Sequence, residues 1–351
     1  MTSVLIHSAN YFDGQKLIPN TWALLNEDKT EIGQGDTWKQ LTADKTVDTQ
    51  GKTLISGLID THCHGAMGHA AQNGLAGMKA TLDFNFENGV AKSLLSMVSA
   101  PAKELIDLCE QAQDLKNDER FAGIHLEGPY ISHGKRGAHN PEIVGKPTTD
   151  DLTALAKQET AKSITIAPEL FETSQIDILA DAGLQLCFGH SEATYEQALA
   201  FFKRYPTAIM THAFNGMNGI HHRAPGPIPA AIESGVMIEL IADGIHVEEA
   251  AARLLPEDRL ILITDAMAAT GMPDGEYKLG SMSAQVKDGV ARTDSGSLAG
   301  STLRLKAAVS NYASWIGSKE KALISASANP AKTYGIALPK LSLKNHFLLD
   351  L

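Results

Sequence analysis

Cysteine is scarce in this chain. Three occur in 351 residues, Cys63, Cys109 and Cys187, widely spaced and with no CxxC pair. An odd, scattered set excludes a disulfide framework and a thiolate zinc site, and it is the usage expected of a reducing cytoplasm. Apolar runs of membrane-spanning length are also missing. The start, Met1 to Gly14, has no basic stretch leading into an apolar one, so neither a membrane span nor a secretory leader is expected. Positive charge is in deficit, with 30 Lys and Arg against 41 Asp and Glu and a formal net charge of −11. Such a chain is a poor partner for nucleic acid or an anionic membrane. A few cations in a pocket can still hold an anionic substrate. There is no Pro/Ser-rich linker, short-period repeat or Gly-x-Gly-x-x-Gly turn. The last absence counts against an open dinucleotide-binding sheet.

What is present suits a large core: 43% of residues are hydrophobic and 20% charged. Residues 1–52 read as short strands and turns. Val4-Leu5-Ile6 and Trp22-Ala23-Leu24-Leu25 are strand-like, punctuated at Asn10, Asp13-Gly14 and 33–36. Phe347-Leu348-Leu349 is strand-like again. The expectation is a small β-sandwich domain made from both chain ends, 1–52 and 336–351. In 53–335 the rhythm changes. Eight short apolar runs, 54–60, 93–98, 122–126, 163–167, 184–188, 208–210, 236–241 and 260–264, alternate with amphipathic stretches such as 102–115, 193–203 and 247–255. Near-continuous apolar runs fit parallel strands covered on both faces. Eight strand–helix units predict an α/β fold, a (β/α)8 TIM-like barrel.

The residues that follow the runs carry the chemistry. Run one ends Asp60-Thr61-His62-Cys63-His64, run three His125-Leu126-Glu127-Gly128-Pro129 and run five Gly189-His190-Ser191. Run six ends Thr211-His212-Ala213-Phe214-Asn215, run seven Asp243-Gly244-Ile245-His246 and run eight Thr264-Asp265-Ala266. All strand C-termini of a barrel open on one face, which carries the active site. His62, His64, Glu127, His190, His212 and Asp265 should therefore converge. Neutral imidazoles and carboxylates bind divalent metals well. In an HxH strand both rings share one face, so His62 and His64 can reach one ion, His190 and His212 a second, and Glu127 can bridge them. A lone histidine beside an apolar run is ordinarily structural; four histidines and two carboxylates at barrel-strand ends are not so easily explained. His7, His133 and His346 lack this context and are expected at the surface or in loops. His125, two residues before Glu127 on the same strand face, could lie behind the ligands.

These stretches resemble the amidohydrolase superfamily and, within it, the N-acetylglucosamine-6-phosphate deacetylases. The resemblance runs from about residue 50 to about 335. It is carried by Gly57–Gly65 (GLIDTHCHG), His125–Tyr130 (HLEGPY), Lys135–Pro141 (KRGAHNP), Gly189–Ser191, Thr211–Met217 (THAFNGM) and Thr264–Met267. It implies metal-dependent hydrolysis of N-acetyl-D-glucosamine 6-phosphate to glucosamine 6-phosphate and acetate. The alternatives are the N-acetylgalactosamine epimer, or a dihydroorotase or cyclic-amidase type of amidohydrolase. It further implies Asp265 as acid/base, and His139 as oxyanion donor and acetyl contact in a loop with Ala138. Asn215, Gly216, Arg223 and His246 would meet the sugar phosphate, and Leu298, Ala299 and Gly300 would line the substrate. One or two divalent ions are expected, zinc first, with iron, manganese or cobalt as alternatives, in a cytoplasmic homodimer. Many superfamily members bridge their metals with a modified lysine after strand four. Here that strand ends Ala167-Pro168-Glu169, which leaves the bridge to Glu127.

Overall fold

The structure, a computed structural model, describes residues 3–351. Its centre is an eight-stranded parallel sheet. The strands, in chain order and also in spatial order, are Leu58–Cys63, Val90–Met97, Phe121–Glu127, Ala161–Ile166, Gln185–Phe188, Ile209–Met210, Met237–Ile241 and Leu260–Ile263. The eighth strand returns to the first. Asp265 N–H donates to His62 O at 2.8 Å, and Cys63 bridges Ala266 in parallel. The sheet is thus a (β/α)8 barrel, and its seam falls on two of the residues singled out above.

The strands read as uniformly apolar, but their two faces differ. Outward residues such as Leu95, Met97, Ile124, Leu126, Ile164, Ile166, Phe188, Ile238 and Leu240 pack into one large cluster with the helices. Inward residues are mixed: Ile241, Ile261 and Ile263 of the last two strands form an apolar cluster, and polar groups pair elsewhere. Ser96 Oγ meets His125 Nδ1 at 3.0 Å, His125 Nε2 meets Thr165 Oγ1 at 2.9 Å, and Thr165 Oγ1 meets Thr211 Oγ1 at 2.9 Å. These four side chains form one hydrogen-bonded row inside the barrel.

Helices follow each strand, from Leu75–Glu87 after the first to Leu305–Ile316 after the eighth. Some are set by local signals. Thr194 caps Tyr195–Arg204 in a reciprocal capping box with Gln197. The stretch 102–115 divides into an α-helix, Ala102–Gln111, and a tighter turn, Ala112–Leu115. The helix expected over 247–255 is a single turn, Glu249–Ala252, which ends ahead of Pro256. No helix among the described residues is long and apolar enough to cross a membrane.

The chain ends meet in one six-stranded sheet that includes Val4–Phe12, Leu17–Leu25, Thr30–Gln34, Lys45–Asp48, Thr53–Ile55 and Phe347–Leu349. Apolar clusters lie on both faces, one around Ile6, Leu25 and Leu341, the other around Leu5, Trp22 and Leu24. His7 is not a surface residue: it is buried in this sheet and stacks on Trp38 with ring centroids 3.7 Å apart. The apolar run 54–60 is split. Thr53–Ile55 belongs to the small sheet and Leu58–Cys63 to the barrel, so the sheet extends past residue 52. Gly57 makes the break at φ +125°, and a Cβ there would lie 2.3 Å from that of Ala91. Gly57→Ala is expected to destabilise the fold by about 1–3 kcal/mol through this overlap and the strained backbone. A urea midpoint matching the parent's would contradict it.

A separate three-stranded sheet was not foreseen: Gly275–Leu279, Met282–Lys287 and Val290–Arg292 lie in the connection after the eighth strand. Its Leu279, Ala284, Val286 and Ala291 pack with Val98, Ala138 and Met267 beside the barrel mouth.

Candidate active site

The C-terminal ends of the barrel strands surround a cavity of about 300 Å³. Its lining includes His64, Glu127, His190, His212 and Asp265, with His62 just beneath them. Two triads could hold an ion, His62–His64–Glu127 and Glu127–His190–His212, and Glu127 is common to both. Oε1 of Glu127 lies 3.0 Å from His212 Nε2, 3.1 Å from His190 Nε2 and 3.5 Å from His62 Nε2. Its Oε2 lies 3.2 Å from His64 Nε2 and 3.4 Å from His139 Nε2. Asp265 Oδ1 is 3.1 Å from His64 Nε2 and 3.6 Å from His62 Nε2. His190, His212 and Asp265 all hold positive φ, at 47°, 24° and 50°. Such strain in non-glycine residues persists only where the surroundings over-determine it, and it clusters at functional sites.

What each imidazole presents to the centre follows from the partner behind it. His64 Nδ1 faces the carbonyl of Ser96 at 3.2 Å, and His190 Nδ1 that of Lys135 at 2.7 Å. A carbonyl only accepts, so in both rings Nδ1 carries the hydrogen and Nε2 is the free coordinating position. His62 is held the same way by Glu239 Oε2, 3.4 Å from its Nδ1. His139 is the reverse. Its Nδ1 accepts from Ser99 N–H at 3.3 Å and meets Ser99 Oγ at 2.7 Å, so Nε2–H points at the centre as a donor. His212 Nδ1 is buried and has no hydrogen-bond partner among the described residues.

The electrostatics ask for positive charge. Burial alone would raise both carboxyls, but the imidazoles win. Glu127 is held well below the usual range by His62 and His139, and Asp265 falls to about 2 beside His62 and His64. Burial likewise works against charge on His64, yet the hydrogen bonds it donates to Asp265 and Glu127 lift it to about 9. Coordinating nitrogens 3.0–3.5 Å from carboxylate oxygens need either protons or a cation between them. The donor set, imidazole nitrogen and carboxylate oxygen with no thiolate, fits a divalent ion of the zinc or iron type.

Of the remaining expected residues, Ala138, His139, Asn215, Gly216, His246, Leu298 and Gly300 line the cavity. Gly216, at φ +59°, lies so close that a Cβ would stand 2.8 Å from His190 Nδ1. Ala299 is turned away: its N–H donates to Ala291 O at 3.1 Å and it packs beside Met267. Arg223 is exposed and does not line the cavity. His246 is fixed by Asp243, with Nδ1 2.6 Å from Oδ2 and its N–H donating to Oδ1 at 2.8 Å. Glu169, after strand four, is occupied by Ser132 and Ser191 hydroxyls at 2.5 and 2.7 Å. His125 lies behind the ligands, with its ring centroid 4.4 Å from that of His62. Burial, then the nearby His62, keep it neutral. Leu279, Phe214, Gly137 and Ser297 also line the cavity and were not anticipated.

No family model matches the chain. Individual relatives do. An N-acetylglucosamine-6-phosphate deacetylase of Vibrio furnissii is 36% identical over 302 residues, covering 81% of this chain and 74% of that protein. The chain belongs to the N-acetylglucosamine-6-phosphate deacetylase family. An N-acetylgalactosamine-6-phosphate deacetylase of Escherichia coli O157:H7 is also 36% identical, over 81% of this chain and 78% of its own length. Among solved structures, an aspartate-to-alanine variant of the N-acetyl-D-glucosamine-6-phosphate deacetylase from Mycobacterium smegmatis, in complex with N-acetyl-D-glucosamine-6-phosphate, matches with TM-score 0.90. It is 31% identical, and the match covers 100% of this chain and 96% of that one.

In this family member the site is stapled at the barrel seam. Asp60, buried below His62, accepts Thr264 Oγ1–H at 2.6 Å and the N–H groups of His62 and Thr264 at 3.3 Å. Burial still pushes Asp60 up to about 6. Thr264→Val keeps the shape but removes that donor, so a loss of about 1–3 kcal/mol is expected. Thermal or denaturant unfolding reads it, and parental stability would show that the seam does not depend on this bond.

Proposed function

We propose that the chain hydrolyses N-acetyl-D-glucosamine 6-phosphate to D-glucosamine 6-phosphate and acetate, with one or two divalent ions, zinc first, held by His62, His64, Glu127, His190, His212 and Asp265. The observation that carries the reading is the pair of triads sharing Glu127, with Asp265 and the His139 N–H donor on the same cavity. The cavity volume is at the small end of the range of about 300–1,000 Å³ for ligand sites, which suits a monosaccharide. Family membership supplies the substrate class.

A divalent ion supplies Lewis acidity toward the amide carbonyl and makes water acidic enough to attack near neutral pH. The chain's own groups do the rest. Asp265, its Oδ1 among the imidazoles and its carboxyl held ionised, accepts the proton of the attacking water and passes it to the departing amine nitrogen. His139 donates Nε2–H to the oxyanion that develops on the acetyl carbonyl. Ser99 fixes that tautomer from behind. Asn215, the Gly216 backbone and His246 meet the sugar and its phosphate. Among the described residues the cavity lining holds no lysine or arginine, so the phosphate needs a cation from outside it. Arg223, exposed downstream of Asn215 and Gly216, supplies one if a homodimer turns it toward the partner's cavity. The protein then works in amino-sugar catabolism, in the cytoplasm.

Acetate release from the 6-phosphate by purified protein, lost on chelation and restored by metal, is the direct test; no metal-dependent turnover would overturn the reading. Running the galactosamine epimer beside it separates the two substrates named among the relatives. Asp265→Asn should abolish turnover while leaving bound metal largely in place, and parental turnover in that variant would remove Asp265 from the acid/base role. Arg223→Ala should raise KM for the phosphorylated sugar far more than it lowers kcat. An unchanged KM would take Arg223 out of phosphate binding.

A further inference from the structure

Glu239 is a buried acid with no task in the reaction above. It projects inward from the seventh barrel strand, Met237–Ile241, and is 1% exposed. Its Oε1 accepts from Tyr334 OH at 3.2 Å and from Thr61 Oγ1 at 3.4 Å. Its Oε2 faces Nδ1 of His62 at 3.4 Å. Among the described residues, His62 is its one basic partner within ion-pair distance. A carboxyl buried this deeply without lysine or arginine is costly unless its hydrogen bonds serve something.

His62 explains the arrangement. His64 and His190 lean on backbone carbonyls, those of Ser96 and Lys135. His62 differs: the acceptor facing its Nδ1 is a side chain, the Glu239 carboxyl. A carboxyl behind an imidazole orients the ring and makes its far nitrogen a better ligand than a neutral carbonyl does.

We infer that Glu239 is a positioning residue of the metal centre: it accepts the Nδ1 hydrogen of His62 and so aims the Nε2 lone pair at the ion shared with His64 and Glu127. Tyr334 and Thr61 hold Oε1 and thereby keep Oε2 on the ring. Tyr334 closes the last helix, Ala328–Tyr334, so the relay Tyr334–Glu239–His62 ties the end of the barrel domain to one triad. Among the described residues, the Glu239 carboxyl makes no hydrogen bond or ion pair to His190, His212 or Glu127 of the other triad. The inference rests on the metal reading above.

The test uses the full chain stripped of metal, titrated with Zn²⁺ against a competing chelator, with melting temperatures of the stripped and loaded forms. Glu239→Gln keeps the shape and removes the charge. It is expected to weaken binding of one ion by about 10–100-fold and leave the other unchanged. The stripped form should melt no lower than the parent's, and the rise in melting temperature on loading should shrink. Tyr334→Phe should weaken the same ion by less. Parental affinity for both ions in Glu239→Gln overturns the inference. So does a stripped form that melts well below the parent's while binding zinc normally, the mark of a purely structural residue. If Glu239→Gln does not fold, Tyr334→Phe decides: weakened binding of one ion supports the relay, and parental binding overturns it. If the parent chain binds no ion at all, the metal reading itself has failed, an outcome seen without any variant.

Discussion

Five imidazole nitrogens stand within 3.5 Å of one carboxylate, that of Glu127, at the buried mouth of the barrel. A carboxylate can stay ionised there only if positive charge surrounds it. Protons or metal ions can supply that charge. The hydrogen-bond partners behind the rings decide which nitrogens are available to a metal. Carbonyls and Glu239 turn Nε2 of His64, His190 and His62 into coordinating positions. Ser99 turns Nε2–H of His139 into a donor. The partners behind the rings thereby set His139, a donor, apart from His62, His64 and His190, without any difference in residue type.

The fold serves this arrangement by bringing distant strands to one rim. His62 and Asp265 are about 200 positions apart in the chain, yet the main chain hydrogen bond between them closes the barrel. Stability of the seam and geometry of the site are the same contacts. The same economy holds inside the barrel, where His125, Ser96, Thr165 and Thr211 form a hydrogen-bonded floor under the ligands. The outward faces of the same strands carry the apolar packing that binds the helices.

Much of this was legible in residue types and their positions. Acid or imidazole at the end of an apolar run marks the open face of a barrel, and that alone located His62, His64, Glu127, His190, His212 and Asp265. Backbone partners were not legible, because a carbonyl has no letter of its own; the opposite tautomers of His64 and His139 emerge only in three dimensions. Glu239 did leave a signal, a lone acid within the run 236–241, on the same strand face as Ile241. The three-stranded sheet left one too. Tyr277 and Leu279, then Ala284 and Val286, alternate, and Asp288-Gly289 with φ of 53° and 73° forms a two-residue hairpin turn. His7 was misplaced because its burial comes from Trp38, a contact made 31 residues away in the chain. Arg223 shows a limit of another kind: the motif that singles it out does not say that it is exposed and outside the cavity lining.

The claim on which the rest depends is that Glu127 is shared by two metal triads. The metal-to-protein ratio of the purified chain, measured beside that of Glu127→Ala, tests it most directly. The account predicts bound divalent metal in the parent and loss from both triads in the variant. A variant that keeps the parental ratio would contradict it.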